Sequence, residues 1–448
     1  MLPLPYYNDD PKSFAYPTVH NRWPTIIEGC IEDIKKEIDN NSTLQSSGEK
    51  LIDSFKQLLD DFKSDKVVEP FDETSKGTPK EILARYNKSL RRLNEMKKVT
   101  WLTGPWLYLE CYLYQWIHLQ MWSSDESHWH TYDIFERLKT ETFRQSSDGV
   151  IELCKLYQKL NGEINTGNLD EDAFKLVFKE LIDVSLWGNA TDLSLLAGNV
   201  TADDIKSVQG AEARKKNEKN ILVNDFESAW AHLKSSKSQR IDFVLDNSGF
   251  ELFTDLVLAL FALDSGLVQE IDIHCKEIPW FVSDTMPKDF DALVSQLEDP
   301  SFFKELHGDE ALTKFSSALK KYYKDGKIRV QSHPFWTTDA NFWDIVREDD
   351  LFAELKKSDL IIFKGDLNYR KLTGDIHWDK TTPFRTAIQD LATSGLPILS
   401  LRTCKADVVV GLPQGVDEQL IETYKSMGNE VGEFWSSSGK WAVVSFNK

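Results

Sequence analysis

Phe243-Val244-Leu245-Asp246-Asn247-Ser248-Gly249-Phe250-Glu251 runs from an apolar strand pattern straight into an apolar helix pattern. Ile241 and Phe243 to Leu245 read as a buried strand, and the run from Phe250 to Leu263 reads as a helix. The acid and amide between them then stand at the C-terminal edge of a sheet, where open α/β folds bind ligands. The helix that follows offers free N–H groups to a phosphate. Asp246 and Asn247 side by side are hard oxygen donors suited to Mg²⁺ or Mn²⁺. Either residue would serve equally well as a plain helix cap.

Downstream of this stretch, short apolar runs alternate with helical patterns. Strands are expected at Ile241–Leu245, Glu270–His274, Lys327–Gln331, Leu360–Lys364 and Pro397–Leu401, with a last ribbon at Val431–Phe434 and Trp441–Phe446. That alternation predicts a mostly parallel sheet covered on both faces, a three-layer α/β/α sandwich. Upstream, apolar residues recur at helical spacing, as in Ile27, Ile31, Ile34 and Ile38. Further helices are expected from Leu51 to Phe62, Lys80 to Lys97, 105–122, 133–160 and 170–187, with loops at 40–48 and 161–168. The chain divides into an N-terminal helical domain, 1–238, and an α/β domain, 239–448, that carries the site. Residues 208–220 read as a solvated connection or an exposed helical turn.

Several strand ends are polar, and four patches are expected to converge on one edge. They are Asp246-Asn247 with Glu251 a turn later; Trp280 to Thr285 around Asp284; Phe363-Lys364-Gly365-Asp366-Leu367-Asn368-Tyr369-Arg370-Lys371; and Leu401-Arg402-Thr403-Cys404-Lys405. Carboxylates and an amide hold a hard cation, while arginine and lysine hold a phosphate. Each patch has an ordinary alternative. Asp284 would cap a following helix, Arg370 and Lys371 would be a solvated surface pair, and Cys404 would be inert and buried. His333 and His377 read as structural or surface residues. Asn189 and Asp192 are weaker candidates to face the site from the helical half.

The 448 residues carry a net charge of −19, which disfavours nucleic acid and anionic membrane as partners. An anionic substrate therefore needs a local basic pocket. Five scattered cysteines without a CxxC pair point to a reducing compartment, the cytosol or also the nucleus. The N-terminus lacks a signal-peptide pattern, and Trp101 to Trp122 reads as a buried helix beginning near Pro105.

Taken in order, Asp246-Asn247-Ser248-Gly249-Phe250-Glu251, Asp284, Asp366 to Arg370 and the Arg402-Thr403-Cys404-Lys405 tetrapeptide resemble the damage-control phosphatase family. They match its sugar-phosphate branch, also described as acidic residue methyltransferase-like. Gly104-Pro105-Trp106 and Glu110-Cys111-Tyr112 extend the resemblance into the helical half. It implies metal-dependent hydrolysis of phosphate monoesters such as fructose 1-phosphate and fructose 6-phosphate, by a monomer. The implied metal is Mn²⁺ or Ni²⁺, with Co²⁺ or Mg²⁺ as alternatives. By that resemblance Asp246, Asn247 and Asp284 are catalytic and hold the metal. Asp246, Asn247, Asp366, Leu367, Asn368, Tyr369, Arg370 and Lys405 would hold the substrate. The competing implication is an S-adenosylmethionine-dependent methyltransferase acting on protein glutamates, with Glu251 and Asp284 at the methyl donor. The residues favour the phosphatase, because common methyl-donor sites have a glycine-rich turn after the first strand and 246–251 contains one glycine.

Overall fold

The structure, a computed structural model, describes residues 2–167, 169–188, 218–236 and 239–448. Asn189, Asp192 and 208–217 lie outside the described residues. Among the described residues seven strands form one sheet: β1 Ile221–Asn224, β2 Arg240–Val244, β3 Glu270–Cys275, β4 Ile328–Ser332, β5 Leu360–Lys364, β6 Ile398–Thr403 and β7 Ala442–Asn447. Their order is β1-β7-β6-β5-β2-β3-β4. All pairings are parallel except β6 with β7.

Alternation along the strands explains the three layers. Ile241, Phe243, Ile273, Ile362 and Leu399 face one core with helices Ser147–Thr166, Glu171–Trp187 and Phe250–Asp264. Val244, Ile361, Phe363, Ile398 and Val443 face the other. Both faces are dry, so the strands read as continuous apolar runs. A third core, centred on Trp23, Phe55, Tyr86 and Trp129, holds helices Trp23–Asn40, Gln45–Lys63, Lys80–Met96 and Trp106–Ser123 together. The aromatic stretch beginning near Pro105 is thus a buried helix, and no described helix is long and apolar enough to cross a membrane.

Four local expectations need correction. The loop expected at 161–168 is helical to Thr166, with Gly167 closing the helix at φ +69°. Asn161 donates to Asp264 at 2.9 Å, and this tertiary contact outweighs loop-like composition. The loop expected at 40–48 gives way to a helix from Gln45, with Gly48 packed so closely on Ile38 that a Cβ would lie 2.6 Å from its Cδ1. Val431–Phe434 is not a strand; a 3₁₀ turn covers Glu433–Ser437 and buries Trp435. The short strand β1 comes from the stretch assigned to the helical half and pairs with β7 at the sheet edge, too brief for its alternation to show.

The end of the sheet opposite the polar strand ends is held by charge. Arg240 is 3% exposed and meets Asp242 at 2.6 Å, Asp272 at 2.7 Å and Glu354 at 2.7 Å. His274 adds a 2.8 Å contact to Asp242. Without Arg240 the buried Asp242 keeps only the His274 imidazole beside it, although Asp272 still meets Arg329 and Glu354 still meets Lys357. Arg240→Met is therefore expected to lower stability by about 3–5 kcal/mol, measured by urea unfolding. A loss below 1 kcal/mol would show that water already screens the cluster.

Candidate functional site

The chain runs β2, β3, β4 to one side, then returns to place β5 on the other side of β2. The crevice beyond the carboxyl ends of β2 and β5 is thus the topological switch point of the sheet. Asp246 leaves β2 there, and Gly365 and Asp366 leave β5. The two turns touch. Gly365 has φ +81°, and a Cβ on it would sit 1.8 Å from Asp246 Oδ2, so only glycine fits.

Neither Asp246 nor Asn247 caps the following helix, whose N-cap is Gly249 at φ +67° without a side-chain bond. The Asn247 Nδ2 group instead donates to Asp246 Oδ2 at 3.0 Å and to Glu251 Oε2 at 2.8 Å. Its Oδ1 faces the other way and accepts from the Ser283 hydroxyl.

Asp284 does not cap a helix either; Met286 occupies that position, bonded to Asp289. It rides on the loop after β3, which docks against the β2 turn. Ser248 N donates to Ser283 O at 2.8 Å, and Thr285 N to Asp246 O at 2.8 Å. The loop is strained, with Phe281 at φ +44° and Val282 at φ +70°. A β-branched residue rarely adopts such a φ, and each costs about 1–3 kcal/mol. The helical half offsets that strain: Trp280 is fully buried, and Phe281 stacks on Tyr114 at 4.8 Å.

Charge explains the rest. Asp246, Glu251 and Asp284 are all buried at this edge. Burial, then the charges of Glu251 and Asp284, holds Asp246 well above the usual carboxylate range, while Lys276 and Lys405 pull it back. Burial raises Asp284 to about 6 against the opposing pull of Lys276. The Lys276 ammonium lies 3.3 Å from Asp284 Oδ2, an ion pair without hydrogen-bond alignment. That buried oxygen accepts no hydrogen bond among the described residues.

The run 366–371 is mostly turned inward, which rejects the surface-pair alternative for Arg370 and Lys371. Leu367 packs in the core of the helical half. Asn368 Nδ2 donates to the carbonyls of Val244, Leu245 and Lys364, pinning β5 to β2. The Tyr369 hydroxyl accepts from Val410 N at 3.0 Å. Arg370 stacks 3.7 Å over Trp106 and pairs with Glu110 at 2.7 Å and Asp375 at 3.0 Å. Lys371 donates to the carbonyls of Thr338 and Ala340. Asp366 alone in this run is partly exposed. Its Oδ1 accepts from Arg402 Nε at 2.8 Å and Lys405 N at 2.9 Å, while Oδ2 accepts nothing among the described residues. Arg402 is fully buried beneath Asp366, so of the two cations in that tetrapeptide only Lys405 is partly exposed. The Lys405 ammonium has no ion pair among the described residues. Cys404 is buried and raised to about 11 by burial, as an inert thiol would be.

Lys276 has no place among the four patches, and Lys364 stands in the third without a role of its own. Lys276 directly follows β3, as Asp246 closely follows β2 and Gly365-Asp366 follows β5, so the same strand-end rule finds it. It donates to Leu245 O at 2.9 Å and lies 3.5 Å from Asn368 Oδ1, joining three patches. Lys364 sits inside β5, where nothing local marks it.

The donors fit a hard divalent cation. No group of three His, Cys, Asp or Glu side chains forms a metal cluster among the described residues, so a site here needs the Asn247 amide beside Asp246 and Asp284. The Asp284 oxygen, ion-paired to Lys276 but without a hydrogen bond, and the crowding of buried acids around Asp246 are what such a cation would satisfy. Glu251 is less available to any ligand, because Asn247 engages Oε2 and Lys364 lies 3.6 Å from Oε1.

The Damage-control phosphatase ARMT1-like domain matches residues 18–420. The chain is 37% identical over 455 residues to Damage-control phosphatase ARMT1 of Xenopus tropicalis, covering 96% of each. It is 34% identical over 467 residues to the Homo sapiens protein of that name, covering 100% of this chain and 99% of that one. A DUF89 family protein from Pyrococcus horikoshii overlaps 82% of this chain and 90% of its own at 14% identity, with a TM-score of 0.37, a likeness too slight to argue from.

Gly365→Ala should cost more stability than Gly395→Ala. Gly395 has φ +80° but open space around its Cβ position, so it reports backbone strain alone. The excess at Gly365, expected to be about 1–3 kcal/mol, measures the push on Asp246. Equal losses by thermal unfolding would mean that the Asp246 carboxyl swings freely aside.

Proposed function

The chain belongs to the Damage-control phosphatase ARMT1-like family, and on that premise we propose a divalent-metal-dependent hydrolase of sugar phosphate monoesters such as fructose 1-phosphate and fructose 6-phosphate. The observation that carries this reading is the Lys405 ammonium. It has no ion pair among the described residues, yet it lies close enough to Asp246 to lower its pKa. Unpaired positive charge beside buried acids is complementary to a phosphate dianion that arrives with a metal.

Asp246, Asn247 and Asp284 would hold Mn²⁺ or Ni²⁺, with Co²⁺ or Mg²⁺ as alternatives. The cation supplies Lewis-acid polarisation of the phosphoryl group. Lys405 offsets the charge of the phosphate. Asp366, fixed by Arg402, turns its free Oδ2 to a sugar hydroxyl. The helices that begin at Phe250 and Gly365 aim their N-termini at the same edge, where they favour an anion. Water adds to phosphorus as the ester bond breaks, and the sugar oxygen leaves with a proton. Five buried free cysteines support a reducing compartment, the cytosol or nucleus.

Purified protein should release phosphate from fructose 1-phosphate with Mn²⁺, stop with chelator and need no S-adenosylmethionine. Asp246→Ala should abolish release with the fold intact, and Lys405→Ala should raise KM while the metal content holds. Methylation of a protein carboxylate without metal, and with no phosphate release from any sugar phosphate, would overturn the assignment.

Protons compete with the cation for Asp284. Because its folded pKa is raised to about 6, metal affinity should rise as pH increases through that value. Calorimetric titration that finds affinity flat across this range would remove Asp284 from the ligand set.

A further inference from the structure

Behind Asn247 lies a chain of buried polar groups that the proposed chemistry does not use. The Lys364 ammonium is 3.0 Å from Asp255 Oδ1 and 3.6 Å from Glu251 Oε1. It also donates to the Ser185 hydroxyl at 2.8 Å and to the Ser185 carbonyl. The Ser185 hydroxyl in turn donates to Asp255 Oδ1 at 2.5 Å. Ser185 stands in the last turn of helix Glu171–Trp187, so its carbonyl has no partner further along that helix. An ammonium there satisfies the carbonyl and complements the negative end of the helix dipole. Ser185, Asp255, Glu251 and Lys364 are all buried.

The chain ends on a choice of orientation. A side-chain amide presents oxygen on one side and nitrogen on the other, and its partners decide which faces where. Two carboxylates hold Asn247 Nδ2 and the Ser283 hydroxyl donates to Oδ1, so Oδ1 points away from Glu251. Glu251 keeps its place in that fork only while something holds its other oxygen. Lys364 does so from within β5, anchored in turn by Asp255 and the helix end.

We propose that Lys364, held by Asp255 and Ser185, is a positioning residue that fixes Glu251 and thereby turns the Asn247 amide oxygen toward the cation. This rests on the metal-phosphatase reading above. Lys364 touches neither cation nor substrate in this scheme. Partners that orient a metal ligand are worth about 10- to 100-fold in metal affinity.

The test separates orientation from mere stability. In Lys364→Met/Asp255→Leu both charges are replaced by apolar side chains, which often leaves stability unchanged or improved. In Lys364→Gln/Asp255→Asn hydrogen-bonding groups remain but the charges are lost; should the apolar pair not fold, this polar pair decides. Arg240→Met is the control, a buried ion-pair loss at the far end of the sheet. Mn²⁺ is titrated calorimetrically into metal-stripped wild type and each variant, with unfolding temperatures measured in parallel. The expected result is a loss of affinity of about 10-fold or more in the Lys364 variants, and wild-type affinity in Arg240→Met despite its lower stability. Wild-type affinity in a folded Lys364 variant overturns this inference and leaves the metal reading standing. Wild type that binds no Mn²⁺ or other divalent ion overturns the metal reading, and this inference with it.

Discussion

Four carboxylates, those of Asp246, Glu251, Asp255 and Asp284, are buried around the carboxyl end of β2 and the helix that follows. Like charges brought together out of water raise one another's pKa unless counter-charge is built in beside them. The surroundings answer that constraint. Lys276 comes from the end of β3, Lys364 from inside β5, and Lys405 from the turn after β6. Even so, burial with Glu251 and Asp284 beside it holds Asp246 well above the usual carboxylate range. Lys276 and Lys364 are fastened to carboxylates and carbonyls, while Lys405 is left with a side chain that can meet a substrate.

Backbone geometry serves the same crowding. Bringing Asp246 against the β5 turn requires a residue without a Cβ, and Gly365 meets that need. Bringing Asp284 against the β2 turn requires Phe281 and Val282 in a left-handed conformation. Strain of this kind persists only where the neighbourhood over-determines it. Here the neighbours come from the helical half of the chain. Tyr114 stacks on Phe281, and Trp280 lies in the core built by Trp23 and Trp129. Glu110 and Trp106, four residues apart on one helix face, grip Arg370 and so fix the helix that begins at Gly365. The helical half is thus part of what holds the edge of the sheet in shape.

The sequence by itself determined six of the seven described strands, β2 to β7, the mostly parallel sense of the sheet, and the acids at its edge, because these follow from local periodicity, whereas β1 is too brief to show it. An apolar run closed by an acid reads the same in any context, so Asp246, Asp284 and Asp366 were visible at once. The family resemblance carried by those residues was equally visible, since a motif is local too. Only the tertiary structure decided which polar groups remain free. Arg370 and Asn368 look like ligand-binding residues in a string of letters, yet Glu110 and Asp375 pair with the Arg370 terminal nitrogens and three carbonyls engage the Asn368 amide nitrogen. Lys276 and Lys364 look unremarkable, yet they lie against the buried acids. A charge acquires its role from its partner, and each partner here comes from another strand, helix or loop. Hydrophobic pattern is written along the chain, whereas charge pairing is settled across it.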